Sequence, residues 1–429
     1  MEIHGAKSIK GELNIPGDKS ISHRSAIISS LVNDNVIIEN FLFCQDCIKT
    51  VDILNKIGVK IEKINGNLIV YGRGIKNLKE PDEILDVGNS GTTIRIMSGV
   101  LSATNFMSIL SGDRSINSRP MERIIEPLRE MGAKINGREN NSKAPIVIFG
   151  NPNLEGKKIE LKVSSAQVKS CILMAALNAK GATEIMQPQV SRDHTERMLQ
   201  YFGADITYDG RYIKLKPGKK LTARKIYVPG DISSAAFFIV ATLILKDSHT
   251  IMKDIGMNPI RSYFIEILNK MGGKVVIKNR RIINNEPVVD IETFSSKLNS
   301  IEIEKEKIPS IIDEIPILCV AAAIARGKTV IRGAGELRYK ESDRIRSIVS
   351  QFKKLGVDIE EKEDGMVIEG NVNFQAGEGT VESFGDHRVA MSLSILALLS
   401  TGNVTVLDSD CINTSFPGFI YNLKKILAQ

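Results

Sequence analysis

The sequence predicts an α/β protein of two pseudo-symmetric domains, each made of three similar units with helices inside and sheets outside. Three observations predict it. A phrase consisting of an amphipathic helix end, a glycine and a short strand recurs along the chain. A polar turn opening a small-residue helix precedes that phrase in each unit. Several helical stretches are apolar on every side and so cannot lie on a surface. At 429 residues the chain exceeds one ordinary core, so two or three domains are expected.

The glycine phrase appears at residues 53–61 around Gly58, 128–135 around Gly132, 198–206 around Gly203, 267–275 around Gly272 and 352–359 around Gly356, with spacings of 74, 71, 69 and 84 residues. Each glycine stands where a helix C-cap needs a residue tolerant of positive φ, just before β-branched residues. The helix openings fall near Asp18, Gly88, Ser164, Gly230, Asp313 and Gly385. The sixth unit lacks a clear glycine phrase and ends in a helix at 420–427. Together these read as six βαβα-type units, too long for a solenoid. Runs 235–245 and 315–325, of 11 residues each, and 389–399 read as buried core helices, and the strands between them as outer, polar-backed ones.

Composition narrows the function. With 42% hydrophobic and 25% charged residues the chain is globular. Met1 to Lys10 shows no signal pattern, and runs of 11 residues fall below the ~17–25 that span a bilayer, so no membrane partner is expected. Five cysteines, an odd number, argue for a reducing cytoplasm rather than a disulfide framework. The lone Cys44-Gln45-Asp46-Cys47 has no second pair or nearby histidines for zinc. A net charge of +7 suits nucleic acid or small anions. Without tryptophan, and with its lysines spread out, the chain fits small anions and no nucleic acid.

The unusual polar residues gather at the six helix openings. A helix N-terminus offers free N–H groups and a positive dipole end, so several together make an anion pocket. To these the chain adds Lys19 and Arg24, Arg95 and Arg119, Lys340 and Arg344, and His387 and Arg388. The run Arg338-Tyr339-Lys340-Glu341-Ser342-Asp343-Arg344 has five charges in seven residues. Taken as helical, it sets Lys340 and Arg344 one turn apart beside Glu341, cations next to a carboxylate for an anionic ligand that exchanges a proton. An N-cap or a surface ion pair explains any one of these residues, but hardly all of them at equivalent places. No GxxxxGK[ST], GxGxxG or GxSxG occurs.

These residues fall into blocks that resemble the 5-enolpyruvylshikimate-3-phosphate (EPSP) synthase family, 3-phosphoshikimate 1-carboxyvinyltransferases, end to end. The blocks are Pro16 to Arg24, Gly88-Asn89-Ser90-Gly91-Thr92-Thr93-Ile94-Arg95, Arg119-Pro120-Met121, Ser165-Ala166-Gln167, Pro229-Gly230-Asp231, Arg338 to Arg344 and Asp386 to Met391. The resemblance implies two domains of three βαβαββ units, residues 18–232 forming one and 1–17 with 233–429 the other, with the active site in the cleft between them. It implies transfer of the enolpyruvyl group of phosphoenolpyruvate to the 5-hydroxyl of shikimate 3-phosphate, in the shikimate pathway of aromatic amino-acid biosynthesis. No cofactor or metal is implied, and the enzyme is expected to be a cytoplasmic monomer.

By the same resemblance Asp313, Glu341 and Lys19 are catalytic. Asp313 is the base for the hydroxyl, while Glu341 and Lys19 share the proton at carbon 3. Lys19, Ser20, Arg24, Ser165, Gln167, Ser191, Arg192, Asp313 and Lys340 would bind shikimate 3-phosphate. Lys19, Gly91, Arg119, Gln167, Arg344, His387 and Arg388 would bind phosphoenolpyruvate, with Gly91 leaving room where a β-carbon would crowd the ligand. Three positions depart from the familiar pattern: Thr414 where a lysine is usual, Ile96 for a proline and His194 for a tyrosine. The alternatives are the sister transferase acting on UDP-N-acetylglucosamine and a non-catalytic anion-binding relative. Against the first stand Ser20 and a loop, 111–119, without cysteine; against the second, the presence of Asp313, Glu341 and Lys19.

Overall fold

The computed structural model describes residues 1–427. Its chain divides into two compact units. The first-half unit holds Gly17–Val228 together with Ile282–Glu286; the second-half unit holds Met1–Pro16, Pro229–Arg281 and the chain from Pro287 on.

The repeat is written in the sheets, which among the described residues are five of four strands and one of three. In the second repeat Leu85–Asp86 runs parallel to Met107–Ser111, which is antiparallel to Lys143–Phe149, itself antiparallel to Lys134–Gly137. The third and fifth repeats pair their strands in the same way. With a helix after each of the first two strands, this is the βαβαββ order expected. The other sheets borrow a strand from far along the chain. Ile226–Tyr227 lies parallel to Asn35–Glu39, and Lys10–Leu13 parallel to His249–Gly256. The sixth repeat has no hairpin of its own; Glu2–His4 pairs with Asn403–Leu407, beside Gly379–Glu382.

Helices lie inside and sheets outside, as the patterning implied. The six inner helices are Lys19–Ser30, Gly91–Ser102, Ala166–Ala176, Ile232–Ile244, Ile315–Ala323 and His387–Ala397, and nearly every residue along each is buried. Strands alternate, as in the buried–exposed pattern of Asn35–Glu39 and Lys143–Phe149. Several hydroxyls inside the helices are satisfied locally: Ser98 Oγ donates to the Ile94 carbonyl and Ser394 Oγ to that of Ala390, each at 2.7 Å. At Gly99 a β-carbon would sit 2.0 Å from the Cys171 carbonyl oxygen, so glycine lets the second and third inner helices approach.

The recurring glycines have the backbone their position requires. Gly58, Gly132, Gly203, Gly272 and Gly356 take φ of +88°, +92°, +87°, +94° and +88°, the left-handed values that end a helix. One expectation is corrected. Residues 338–344 are not one helix: a 3-10 turn covers Gly335–Tyr339, Lys340 is extended, and the α-helix begins only at Arg344. Asp343 is the reason, because its carboxylate accepts from the Arg346 N–H and so must precede the helix.

Candidate active site

Within the first-half unit the entrances of the three inner helices are capped by Asp18, Ser90 and Ser165, whose side chains accept from the N–H groups of Ile21, Thr93 and Val168. Side chains tie these entrances together. His23 Nδ1 lies 2.7 Å from Thr50 Oγ1, which lies 2.7 Å from Thr93 Oγ1, joining first to second. Gln167 joins third to second, donating to Thr92 Oγ1 at 3.1 Å and accepting from Arg95. Arg24 joins first to third, with Nη2 donating to Ser170 Oγ at 2.9 Å.

The residues expected to meet anions sit on and around these turns. Lys19 pairs with Asp46 at 3.0 Å. Arg24, buried, donates to Thr195 Oγ1 at 2.6 Å and to the Ser20 carbonyl at 3.0 Å. Burial lowers its pKa to about 10, an effect that Glu196 and Asp18 oppose and Arg192 adds to. Arg119 Nη2 donates to Asn89 Oδ1 at 2.5 Å. A β-carbon at Gly91 would lie 3.2 Å from guanidinium nitrogens of both Arg119 and Arg95. Ser191 Oγ donates to Gln187 at 2.6 Å, next to Arg192. His23 is kept neutral: burial first, then Lys19 and Arg24, push its pKa well below 6.5.

In the second-half unit one carboxylate is the hub. Asp313 Oδ1 lies 3.4 Å from Arg344 Nη1, 3.6 Å from Lys340 Nζ and 3.9 Å from Arg388 Nε, and Arg388 also donates to the Asp313 carbonyl at 2.9 Å. Arg344 is buried among three carboxylates, with Nε on Asp386 at 2.8 Å and Nη2 on Glu341 at 2.5 Å. Burial opposes its charge, but Asp386, Glu341 and Asp313 outweigh that and raise its pKa. Asp386 also caps the sixth inner helix, accepting from the N–H groups of Arg388 and Val389, and His387 begins that helix. The fifth inner helix has no side-chain cap: Glu314 takes the hydroxyl of Ser233 instead, and Pro316 follows in the first turn.

A family model described as EPSP synthase (3-phosphoshikimate 1-carboxyvinyltransferase) matches residues 3–423. The chain belongs to the EPSP synthase family. Relatives named 3-phosphoshikimate 1-carboxyvinyltransferase include one from Syntrophomonas wolfei, 50% identical over 96% of either chain, and one from Petrotoga mobilis, 49% identical over 99% of either. An EPSP synthase structure from Acinetobacter baumannii has a TM-score of 0.89 at 42% identity, covering 99% of this chain and 97% of that one. The enolpyruvyl transferase NikO from Streptomyces tendae shares the fold, with a TM-score of 0.80 at 16% identity over 99% and 96%.

The positions that depart from the family pattern have local partners. His194 Nδ1 lies 2.7 Å from Glu286 in a buried pair. Ile96 is buried in the second inner helix, and Thr414 Oγ1 donates to the Cys411 carbonyl. The cysteines are free thiols, and Cys47 Sγ sits 3.8 Å from the Lys19 carbonyl oxygen. Among the described residues no helix is long and apolar enough to cross a membrane. Arg95 is one of the cations expected at the helix openings, but Asp46, Lys169, Thr195, Glu196 and Asp386 had no assigned role. Of these only Asp386 left a signal, standing just before His387 and Arg388 as a cap should.

Proposed function

We propose that this EPSP synthase transfers the enolpyruvyl group of phosphoenolpyruvate to the 5-hydroxyl of shikimate 3-phosphate and releases phosphate, acting as a cytoplasmic monomer in aromatic amino-acid biosynthesis. Membership of the family supports the reaction; the free cysteines support a reducing compartment. Carbon 2 of phosphoenolpyruvate becomes electrophilic when carbon 3 is protonated. An acid facing the methylene, cations on the carboxylate and phosphate, and a base for the hydroxyl are therefore needed.

The observation that carries the reading is Asp313 with Lys340, Arg344 and Arg388 within 4 Å of its carboxylate. Three cations so near hold its charge in place. Phosphoenolpyruvate brings negative charge of its own to Arg344 and Arg388, freeing the carboxylate to accept the hydroxyl proton. Glu341 and Lys19 deliver a proton to carbon 3 as the 5-hydroxyl oxygen bonds carbon 2, and the double bond becomes the methyl group of a tetrahedral ketal phosphate. Removal of a methyl proton then expels phosphate. Arg119, Gly91, Gln167 and His387 complete the phosphoenolpyruvate side. Ser20, Arg24, Ser165, Gln167, Ser191, Arg192 and Lys340 hold shikimate 3-phosphate, Arg and Lys by charge-assisted bonds. The test is phosphate release from phosphoenolpyruvate with either shikimate 3-phosphate or UDP-N-acetylglucosamine as acceptor. Release with the first alone is expected; release with the second alone would overturn the reading.

A further inference from the structure

We propose that the buried Lys169–Glu196 pair positions the phosphate subsite by holding the Ser191–Arg192 turn and the Arg24 guanidinium in register with the entrance of the third inner helix. This rests on the reading that Arg24, Ser165, Ser191 and Arg192 receive the 3-phosphate. Lys169 lies in the first turn of Ala166–Ala176, yet its side chain and that of Glu196 are each only 1% exposed, 2.5 Å apart. Taking two charges out of water is costly, and such pairs add little net stability compared with an apolar pair of equal volume. What they supply is fixed geometry, and here Lys169 reaches a further group while Thr195, the residue before Glu196, reaches others.

Lys169 Nζ also donates to the Ser191 carbonyl at 3.1 Å. The turn is tied down on the preceding side as well. Ser164 Oγ contacts both the N–H and the carbonyl of Gln189 at 2.8 Å, and Ser191 Oγ bonds Gln187, which bonds the Gly210 carbonyl at 2.7 Å. Glu196 works from the other side. Its neighbour Thr195 has Oγ1 2.6 Å from Ser170 Oγ, and Arg24 donates to both hydroxyls. Lys169-Ser170 and Thr195-Glu196 are therefore laced residue to residue, with Arg24 in the lacing. A shift of either partner moves Arg24 and the Ser191 turn relative to Ser165.

The test compares shikimate 3-phosphate with shikimate, the same ligand lacking the phosphate, by titration calorimetry. The Lys169→Met/Glu196→Met double variant removes both charges at similar volume, a change that folds tolerate. It is expected to weaken shikimate 3-phosphate binding roughly tenfold or more while shikimate binding stays put. Equal losses for both ligands would mean general damage and overturn the inference. If the double variant does not fold, Glu196→Gln takes its place, and an unchanged ratio of the two affinities would overturn it. Ser165→Ala separates the two ideas. If it lowers the ratio and the pair variants do not, the subsite stands and the positioning role falls; if neither does, the subsite reading fails and the inference with it.

Discussion

Two buried arginines, one in each unit, show how differently the same side chain is used. Arg24 is 4% exposed and donates to three neutral oxygens, of Thr195, Ser170 and Ser20. Arg344 is 1% exposed and is ringed by the carboxylates of Asp313, Glu341 and Asp386. The consequence appears in their pKa values, lowered to about 10 for Arg24 and raised for Arg344. Arg24 therefore has charge to give an incoming anion. Arg344 has already shared its charge, and it holds the carboxylates of Asp313, Glu341 and Asp386 at fixed places.

The sharpest way to break this comparison is to remove each cation in turn. Arg344→Met leaves Asp386, which is fully buried, without its counter-charge. The expected loss in urea unfolding is about 3–5 kcal/mol. Arg24→Met removes a buried charge whose hydrogen bonds all go to neutral oxygens. Its stability should stay within about 1 kcal/mol of the parent, while KM for shikimate 3-phosphate rises roughly 10- to 100-fold. Equal destabilisation by the two variants would show that the contrast in partners has no energetic meaning.

His23 extends the comparison to pH. It sits beside Lys19 and Arg24, and its folded pKa lies below the ordinary 6.5. The unfolded chain then binds the proton that the folded chain refuses. Stability is thus full above about pH 6.5 and falls as the pH drops, by about 1.4 kcal/mol per pH unit from this group. His23→Asn should flatten that slope in unfolding experiments between pH 7 and 5. The smallest expected effect is at Gly91. A methyl group there meets the movable ends of Arg95 and Arg119 at 3.2 Å and Ile116 Cδ1 at an ordinary 3.7 Å. Gly91→Ala should raise KM for phosphoenolpyruvate by about three- to tenfold.

What the sequence revealed follows from how local each signal is. The cap glycines were legible because a positive φ constrains one residue, and Gly58 and Gly356 share it at opposite ends of the chain. The helix openings were legible because Asp18 and Ser90 bond N–H groups three residues on. The start of the helix at Arg344 is hidden in the sequence because Asp343, its cap, stands among four other charges of the same run. Partners joined across the chain left no trace. Lys19 meets Asp46 from 27 residues away and Arg344 meets Asp386 from 42. Lys169 reads as an ordinary polar residue in an apolar helix until Glu196 is seen against it.

The most direct test of the account is steady-state phosphate release from phosphoenolpyruvate and shikimate 3-phosphate by Asp313→Asn. Asparagine keeps the shape and loses both the proposed base and the charge that faces Lys340, Arg344 and Arg388. The expected result is a kcat lower by roughly 10²–10⁴-fold, with phosphate release still dependent on shikimate 3-phosphate. A variant that retains the parent kcat would contradict it.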